Sequence, residues 1–266
     1  RCVEGALAED VGRGDVTTRA VVSGDPPARG VIRAQGAGVV AGLPAAVEVF
    51  RRLDARLRVR TAPEGARVRP GDRLAEIRGP AGPLLTGERT ALNLLGCLSG
   101  IATRTAAFVA AAGRPCVFDT RKTPPLLRRL AKYAVAVGGG RNHRMGLYDA
   151  VLIKDNHIRF AGSLAEAVRR VRRATRNRLP VEVEAETPAQ VEEALAAGAD
   201  VILLDNFRPA ALARAVARIG GRAVVEVSGG LTPAAVRRAA ALGVDRVSVG
   251  AVTHSAPWLP MHLEWE

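Results

Sequence analysis

The sequence of 266 residues predicts an α/β protein, in which a closed or nearly closed parallel α/β barrel follows an N-terminal domain of mixed helices and strands. From about residue 115 onward, short β-rich runs ending in a polar residue alternate with helical stretches, which is the pattern of βαβ units. Six such runs fall within about 135 residues, and this density favours a barrel. An open doubly wound sheet stays the alternative, because one sequence does not give the strand order.

The predicted barrel strands all end in residues that are costly to bury without a partner. They are Cys116–Thr120, Ala150–Lys154, Val181–Glu184, Val201–Asp205, Ala223–Ser228 and Arg246–Gly250. The helices Pro188–Ala197, Pro209–Ile219 and Pro233–Leu242 each begin with a proline, which fits the first helical turn. Thr187 and Thr232 precede two of these prolines and are expected to be N-caps. Barrel enzymes carry their active groups at the carboxyl ends of the strands, so we expect a site there.

The first hundred residues predict a separate α+β domain. Its expected strands are Val31–Ile32, Val39–Val40, Leu57–Val59 and Leu74–Ile77. A helix is predicted over Ala45–Leu53, and a second over 86–112 with a break near Gly96 or Gly100. We therefore expect an N-terminal domain at residues 1–98, joined by the tail 255–266, and a catalytic barrel at 99–254.

Composition limits the possible partners. The formal charge of +13 would attract anions, but aromatic residues are only 3% of the chain, which argues against base-stacking platforms. The arginines are scattered, and no basic tail or zinc-finger spacing is present, so we expect no nucleic-acid partner. No run of about twenty apolar residues suggests a membrane span. Three separated cysteines fit a reducing cytoplasm.

Lysine is almost absent, and this makes its positions informative. Of 39 cationic residues only three are lysine, and Lys132 is expected to be structural within a helix. Lys122 and Lys154 follow predicted strands. A compact ammonium can meet a single oxygen in a way that the planar arginine fork cannot. Both are therefore candidate functional residues.

Polar residues interrupted by glycines cluster between positions 119 and 157. If Arg121, His143, Arg144 and Lys154 converge, they form a pocket for an anion with several carboxylates or phosphates. The alternative interpretation is a basic surface patch with a flexible loop.

The last four strand ends suggest further roles. Glu184 and Asp205 are candidates for magnesium coordination, for hydrogen bonds to sugar hydroxyls, or for simple pairing with nearby cations. Glycine turns follow the last two strands, and backbone amides in such turns can hold a phosphate. The residues concerned are Ser228, Gly229, Gly230, Val249, Gly250 and Ala251, with His254 within reach.

Several motifs together resemble the quinolinate phosphoribosyltransferase family. They are Gly87-Glu88-Arg89-Thr90-Ala91-Leu92-Asn93, Ser99-Gly100-Ile101-Ala102-Thr103, Asp119 to Thr123, Asn142-His143-Arg144, Lys154 to His157, Glu182-Val183-Glu184, Leu203-Leu204-Asp205-Asn206 and Ser228-Gly229-Gly230. The resemblance extends over nearly the whole chain. It implies an incomplete α/β barrel of the type II phosphoribosyltransferases. It also implies Mg²⁺-dependent transfer of phosphoribosyl from 5-phosphoribosyl-1-pyrophosphate to quinolinate, with loss of CO2.

The resemblance also implies roles for individual residues. Quinolinate would be bound by Arg121, His143, Arg144 and Lys154, and the 5'-phosphate by Ser228, Gly229, Gly230 and Gly250. Lys122, beside Thr120, would meet pyrophosphate. Glu184 and Asp205 would meet the ribose hydroxyls and magnesium. Arg89 would reach the site of a partner subunit in a homodimer or a higher oligomer.

The chain departs from the family pattern at one loop, where Pro124-Pro125-Leu126-Leu127-Arg128 replaces an expected Thr-Pro-Gly-Leu-Arg run. Two other enzyme classes stay open as alternatives. One is a molybdenum-associated paralogue with the same fold, and the other is a Schiff-base aldolase that uses Lys154 as its nucleophile. A non-enzymatic anion-binding protein would instead show affinity that collapses with salt.

Overall fold

The computed structural model describes residues 1–266, which form two compact units. The first comprises Arg1–Ala106, Pro124–Gly139 and Ser255–Glu266, and the second comprises Ala107–Thr123 and Gly140–His254. One uninterrupted helix, Ala81–Ala112, spans residue 98, where the boundary between the two domains was predicted. That boundary stays a prediction.

The elements of the chain follow one another in this order. The first nine are α1 (Cys2–Val11), α2 (Val16–Val21), β1 (Pro27–Ala34), β2 (Gly38–Val39), α3 (Leu43–Leu53), β3 (Arg58–Thr61), β4 (Arg67–Val68), β5 (Arg73–Pro80) and α4 (Ala81–Ala112). Next come β6 (Cys116–Phe118), α5 (Arg128–Val137), β7 (Val151–Ile153), α6 (Asp155–Ala161), α7 (Leu164–Thr175), β8 (Val181–Ala185) and α8 (Pro188–Ala196). The last are β9 (Val201–Asp205), α9 (Pro209–Ile219), β10 (Val224–Ser228), α10 (Pro233–Ala241), β11 (Arg246–Ser248), α11 (Ala251–His254) and β12 (Met261–Trp265).

The first unit is built on a four-stranded sheet in the order β12-β1-β5-β3, with antiparallel pairing throughout. The C-terminal strand β12 pairs with β1 and so belongs to this sheet. Helix α3 buries Leu43, Ala46, Val49 and Phe50, whose spacing puts them on one face. Its start is fixed by Glu64, whose carboxylate accepts the backbone N–H groups of the first turn at 2.5 and 3.0 Å.

Helix α4 contradicts the predicted break near Gly96 or Gly100, because it continues unbroken for 32 residues. The glycines serve packing instead. Gly96 O accepts the backbone N–H of Leu259 at 3.0 Å, and a Cβ at Gly100 would overlap the carbonyl oxygen of Pro257. Only glycine lets the C-terminal segment approach this closely.

The apolar character of α4 was not anticipated by the sequence analysis. By length and composition alone, this one helix would suffice to cross a membrane, with a mean hydropathy of 1.5 over its most apolar window. However, 61% of that window is buried inside the protein, as in the core helix of a globular domain.

The second unit contains six parallel strands in the order β6-β11-β10-β9-β8-β7. Strands β7 to β11 lie side by side in chain order, and the first strand, β6, pairs with the last, β11. This cyclic order is that of a barrel, and it excludes the doubly wound alternative, whose strand order reverses at a switch point. No ladder joins β6 to β7, so the barrel is incomplete at that point.

The predicted barrel helices and their caps are confirmed. Thr187 accepts the backbone N–H of Gln190 at 3.2 Å, and Gln190 accepts that of Thr187 at 3.1 Å, which makes a reciprocal capping box. Thr232 caps α10 through the backbone N–H of Ala235, also at 3.2 Å.

Many arginines lie on solvated helix faces, as their scattered positions suggested. On α7, Glu166 pairs with Arg169 and Arg170, each at 2.6 Å, one turn away. These pairs hold the pKa of Glu166 down to about 2 through its hydrogen bonds with Arg169 and Arg170. The positive charge of this helix is thus partly balanced locally.

The loop that departs from the family pattern keeps a left-handed backbone. Leu126 has φ of 63° at the position where the family pattern has glycine, and its side chain is exposed. A left-handed conformation at a residue with a Cβ costs about 1–2 kcal/mol. The loop therefore retains the glycine-type geometry at some cost in strain.

The packing of α4 yields a stability prediction. We expect Gly100→Ala to lower the melting temperature, because its Cβ must displace the backbone at Pro257, and overpacking of this kind costs about 1–3 kcal/mol. Gly5→Ala on α1 is the matched control. Nothing lies within 4 Å of its Cβ, so it should be neutral or stabilising by about 0.5–1 kcal/mol. Thermal unfolding followed by circular dichroism measures both; equal shifts would refute the packing argument.

Candidate active site

The predicted polar strand ends lie on one edge of the second unit's sheet. Asp119 to Lys122 follow β6, Lys154 follows β7, and Gly250 lies two residues after β11. Glu184, Asp205 and Ser228 occupy the ends of β8, β9 and β10. Because all six strands are parallel, their carboxyl ends meet at the same edge.

The first group of charges at this edge is cationic. Burial lowers the pKa of Arg144, and so does the positive charge of Arg121, so the two guanidinium groups interact through their charges. Both side chains are half-buried. Two adjacent like charges with restricted access to water are costly for the free protein, and an anion with two carboxylates would offset that cost.

His143 is held on every side. Its backbone N–H donates to Asp119 Oδ1 at 2.8 Å, and its Nδ1 accepts the backbone N–H of Arg144, also at 2.8 Å. Its Nε2 lies 3.2 Å from Glu182 Oε2 and 3.5 Å from Glu226 Oε1. The ring edge meets Phe118, with centroids 6.3 Å apart.

The protonation of His143 reflects opposing effects. Burial lowers its pKa, while hydrogen bonds with Glu182 and Glu226 raise it further, to about 9. The contact from the Arg144 N–H requires a lone pair on Nδ1, so this arrangement corresponds to a ring with one proton, on Nε2. Burial raises the pKa of Glu182, and its hydrogen bond with His143 lowers it. A pKa of about 9 puts a second proton on the ring at neutral pH, and that proton would break the hydrogen bond from Arg144 to Nδ1. In either state Nε2–H faces the two acids.

Lys154 forms an ion pair with Glu184 across the neighbouring strands β7 and β8. The Lys154 side chain is 42% exposed, whereas that of Glu184 is only 12% exposed. The ammonium therefore remains accessible from the open edge of the sheet while the carboxylate anchors it.

Asp205 is held by the residue that follows it. Asn206 has φ of 56°, and its Nδ2 donates to Asp205 Oδ2 at 2.6 Å. The backbone N–H of Asn206 donates to Ser228 O at 3.1 Å. A Cβ at Gly229 (φ 101°) would overlap the Asn206 side chain, so only glycine fits there. This turn brings the predicted residues Asp205, Ser228 and Gly229 together.

A second glycine turn unites three more predicted residues. A Cβ at Gly250 would lie 3.1 Å from His254 Nε2 and 3.2 Å from Lys122 Cδ. The carbonyl oxygen of Lys122 accepts the hydroxyl of Thr253 at 2.7 Å, and Thr120 Oγ1 accepts the backbone N–H of Lys122 at 3.0 Å. Lys122 and His254 thus flank Gly250, the arrangement expected of an anion site.

Known proteins are similar to this chain over nearly its whole length. The model of the quinolinate phosphoribosyl transferase N-terminal domain matches residues 15–99, and that of the C-terminal domain matches residues 101–264. The chain belongs to the quinolinate phosphoribosyltransferase family. This confirms the resemblance inferred from the motifs.

Individual relatives agree with this family assignment. The chain is 44% identical to the nicotinate-nucleotide pyrophosphorylase [carboxylating] of Mycobacterium leprae, over 97% of this chain and 94% of that protein. It is 40% identical to the probable enzyme of that name from Bacillus subtilis, over 96% and 89%. The crystal structure of NadC from Streptococcus pyogenes superimposes with a TM-score of 0.94 at 43% identity, covering 100% of this chain and 96% of that one.

The family assignment removes the alternative enzyme classes. A Schiff-base aldolase needs an uncharged lysine amine as nucleophile, whereas Lys154 forms an ion pair with Glu184. Neither the family models nor these relatives point to the molybdenum-associated paralogue. As a quinolinate phosphoribosyltransferase, the chain is an enzyme of the pentosyltransferase class.

One predicted site residue lies outside the second unit. Arg89 is on α4 within the first unit, where its side chain is exposed. Its role across a subunit interface stays a prediction.

Sequence reasoning gave no individual role to four residues of this quinolinate phosphoribosyltransferase site. Asp119, Glu182 and Asn206 were named only within motifs, and Glu226 was missed altogether. Asp119 and Glu226 are completely buried, and Glu182 is 6% exposed. The signal was present, because Glu182 and Glu226 interrupt otherwise apolar strands. Attention to strand ends alone overlooked acids in the middle of strands.

The potential metal ligands that lie closest together are not the residues predicted to bind magnesium. The ligand atoms of His143, Glu182 and Glu226 lie within 4.8 Å of one another, whereas Glu184 and Asp205 were the predicted magnesium ligands. Glu184 and Asp205 nonetheless suit Mg²⁺, which takes one or two carboxylates together with substrate phosphates. Asp205 accepts the Asn206 hydrogen bond through Oδ2.

Proposed function

We propose that the protein transfers the 5-phosphoribosyl group of 5-phosphoribosyl-1-pyrophosphate to the nitrogen of quinolinate, with decarboxylation. The products are nicotinate mononucleotide, pyrophosphate and CO2, which would serve NAD biosynthesis. The observation that carries this proposal is the position of Arg121, Arg144 and Lys154 at the carboxyl edge of the barrel, where Arg121 and Arg144 interact through their charges and Lys154 pairs with Glu184. A pyridine dicarboxylate is a ligand that such a set of cations can bind.

Recognition of the dicarboxylate follows from the distribution of charge. Arg121 and Arg144 would each grip a carboxylate through their planar forks, and binding relieves the repulsion between them. Lys154, anchored by Glu184, would direct its ammonium at a single carboxylate oxygen. His143 would complete this pocket.

The phosphates would occupy the other half of the edge. Ser228, Gly229 and Gly230 form one amide-rich turn, and Val249, Gly250 and Ala251 form the other. Lys122 and His254 flank Gly250, where Lys122 would contribute positive charge and His254 a ring nitrogen toward pyrophosphate and the 5'-phosphate. Because a Cβ at Gly229 would overlap Asn206, this position carries no side chain that could block the backbone amides of the turn.

The residues of the chain suit a substitution at the ribose carbon. The quinolinate nitrogen forms a bond to C1 of the ribose as the bond to pyrophosphate breaks, and the leaving electron pair departs with pyrophosphate. The ring carboxylate next to the nitrogen then leaves as CO2. The electron pair left on the ring carbon is stabilised by the adjacent pyridinium and takes up a proton. Arg121 and Arg144 hold the ring in line, which is positioning catalysis.

Magnesium is proposed as the cofactor. Glu184 and Asp205 end the neighbouring strands β8 and β9, and they would hold Mg²⁺ directly or through water while meeting the ribose hydroxyls. When bound, the ion would stabilise negative charge on the pyrophosphate leaving group. Asn206 fixes the Asp205 carboxylate for this purpose.

We further propose that the protein acts as a homodimer or a higher homo-oligomer, in which Arg89 completes the site of a partner subunit. The proposal is supported by the exposed position of Arg89 on α4, where a second chain can reach it. Free cysteines fit a cytoplasmic location, which we also propose.

The first test is product formation. Purified protein with phosphoribosyl pyrophosphate, Mg²⁺ and quinolinate should yield nicotinate mononucleotide by mass spectrometry, while nicotinate in place of quinolinate should yield none. Lys154→Ala should lower kcat/KM about 100-fold, a loss of ~2.7 kcal/mol in a charge-assisted contact. Lys154→Arg should also lose activity, because the fork does not reproduce the compact ammonium. Product from nicotinate alone would contradict the dicarboxylate pocket.

The second test concerns the metal. Activity should vanish with excess EDTA and return with Mg²⁺. Asp205→Asn should raise the half-saturating Mg²⁺ concentration about tenfold or more, since it removes one negative charge, ~1.4 kcal/mol in binding. Asp25→Asn is the matched control, because Asp25 is an exposed acid of the first unit that pairs with Arg56 at 2.9 Å. An unchanged Mg²⁺ requirement in Asp205→Asn would remove Asp205 from the metal site.

The third test concerns the shared site. Arg89→Ala and Lys154→Ala should each be inactive alone. When they are mixed as unfolded chains and refolded together, half of random dimers are mixed, and each mixed dimer has one intact site. Activity should then recover to roughly a quarter of wild type. Recovery of none, with mixed dimers shown by native mass spectrometry, would place Arg89 in its own subunit's site or outside it.

A further inference from the structure

The proposed reaction leaves several buried charged groups without a role, and Glu226 is one of them. Glu226 lies in the middle of β10 and is completely buried. Ser248 on β11 donates its hydroxyl to Glu226 Oε1, and Arg246 NH1 lies 3.8 Å from Oε2. His143 Nε2 lies 3.5 Å from Oε1. The carboxylate is therefore shared among a hydroxyl, a guanidinium and an imidazole.

The stability of the fold does not explain a buried carboxylate at this position. Removing a carboxylate from water is costly even when it is paired, and apolar replacement of buried ionic groups is often neutral or stabilising. The flanking residues Val225 and Val227 are ordinary apolar core residues, at 4% and 3% exposure. An acid at position 226 needs a reason beyond the packing of the barrel.

The ladder of the sheet places Glu226 beneath the site. In the parallel register Glu226 is level with Leu203, and Leu203 is level with Glu184, so their side chains share one face of the sheet. Ser228, at the end of the same strand, is level with Asp205 on that face. Glu226 therefore lies level with Glu184 and one side chain below Asp205 and Ser228.

His143 connects this buried layer to the cationic pocket. Its Nε2 faces Glu182 and Glu226, and its Nδ1 accepts the backbone N–H of Arg144. The ring cannot turn without losing one of these contacts, and the Arg144 backbone cannot shift without losing the other. The positions of Glu182 and Glu226 thus influence, through His143, the backbone of Arg144 and the direction in which its side chain leaves it.

We propose that Glu226, together with Glu182, is a positioning residue for the dicarboxylate pocket, acting through His143 on Arg144. The inference rests on the proposed function, because it needs quinolinate as the ligand. Neither acid touches the substrate. Each fixes the ring from below, Glu182 from β8 at 3.2 Å and Glu226 from β10 at 3.5 Å.

This arrangement has a specific kinetic signature. Loss of the anchor disturbs His143 and Arg144. Glu182 lies on β8, which leads to neither phosphate turn. Glu226 lies on β10, which leads to Gly229, and contacts Ser248 of β11, which leads to Gly250, so Glu182 gives the cleaner separation. The KM for quinolinate should rise while the KM for phosphoribosyl pyrophosphate stays nearly constant. A purely structural role would disturb both halves of the sheet edge alike.

The experiment uses steady-state kinetics of the full-length protein. Glu226→Gln, which keeps shape and removes charge, should raise the KM for quinolinate about tenfold, equivalent to ~1.4 kcal/mol. The KM for phosphoribosyl pyrophosphate should stay within about twofold. Glu182→Gln should give the same split. Glu192→Gln, the same change in an exposed pair with Arg218, is the matched control and should leave both values unchanged.

A double-mutant cycle tests whether the effect runs through His143. In His143→Asn, further substitution of Glu226→Gln should change the KM for quinolinate by less than about twofold, because the connecting ring is already absent. Additive effects would mean that Glu226 acts by another route and would overturn the inference. Parallel rises in both KM values, or no rise in either glutamine variant, would do the same.

The outcomes separate this inference from the proposed function. If the wild-type protein turns over quinolinate and the variants are unaffected, only the positioning role fails. If the wild-type protein does not turn over quinolinate at all, the proposed function fails and this inference fails with it. Melting curves accompany each variant. Should Glu226→Gln not fold, Glu182→Gln carries the test, and failure of both to fold would make the acids structural and overturn the inference.

Discussion

The parallel register of the six barrel strands is the constraint on which the rest of the site depends. It places Glu184 level with Leu203 and Glu226, and Asp205 level with Ser228, so that residues far apart in sequence form layers. The layer of Asp205 and Ser228 carries groups proposed to meet substrate and metal. The layer below carries Glu184, also proposed to meet them, and Glu226, which contacts the ring of His143. A slip of one residue in any strand would exchange these side chains for the apolar ones on the other face.

Charge is used in two distinct ways in this chain. Exposed arginines such as Arg169 and Arg170 have acids within one helical turn, so their field is balanced locally. Arg121 and Arg144 instead lie close enough for their like charges to interact in a half-buried setting. Balanced pairs of the first kind contribute little to anion binding. The net charge of +13 is therefore a poor guide to function, and the arrangement of a few cations is a better one.

Much of the fold and of the site could be predicted from local sequence patterns. The rest depends on contacts between residues that are far apart in the sequence. The strand ends and the capped helices were predictable because alternation and N-caps are short-range signals. The break in α4 was wrongly predicted, because glycine at positions 96 and 100 serves a segment more than 150 residues later in the chain. Glu182 and Glu226 were given no individual role because a buried acid acquires meaning only once its neighbours are known.

Local strain and buried charge in this protein favour the same conclusion. Asn206 adopts a left-handed conformation and directs its amide at Asp205, although a residue with a Cβ pays about 1–2 kcal/mol for that backbone. Glu226 is completely buried where valine neighbours would pack without charge. Both features oppose stability, and both lie directly under or beside groups of the carboxyl edge. Strained backbone and buried charge persist where the surrounding structure holds a functional site in one geometry. The presence of both at this edge argues that the barrel maintains the orientation of the groups that contact the ligands.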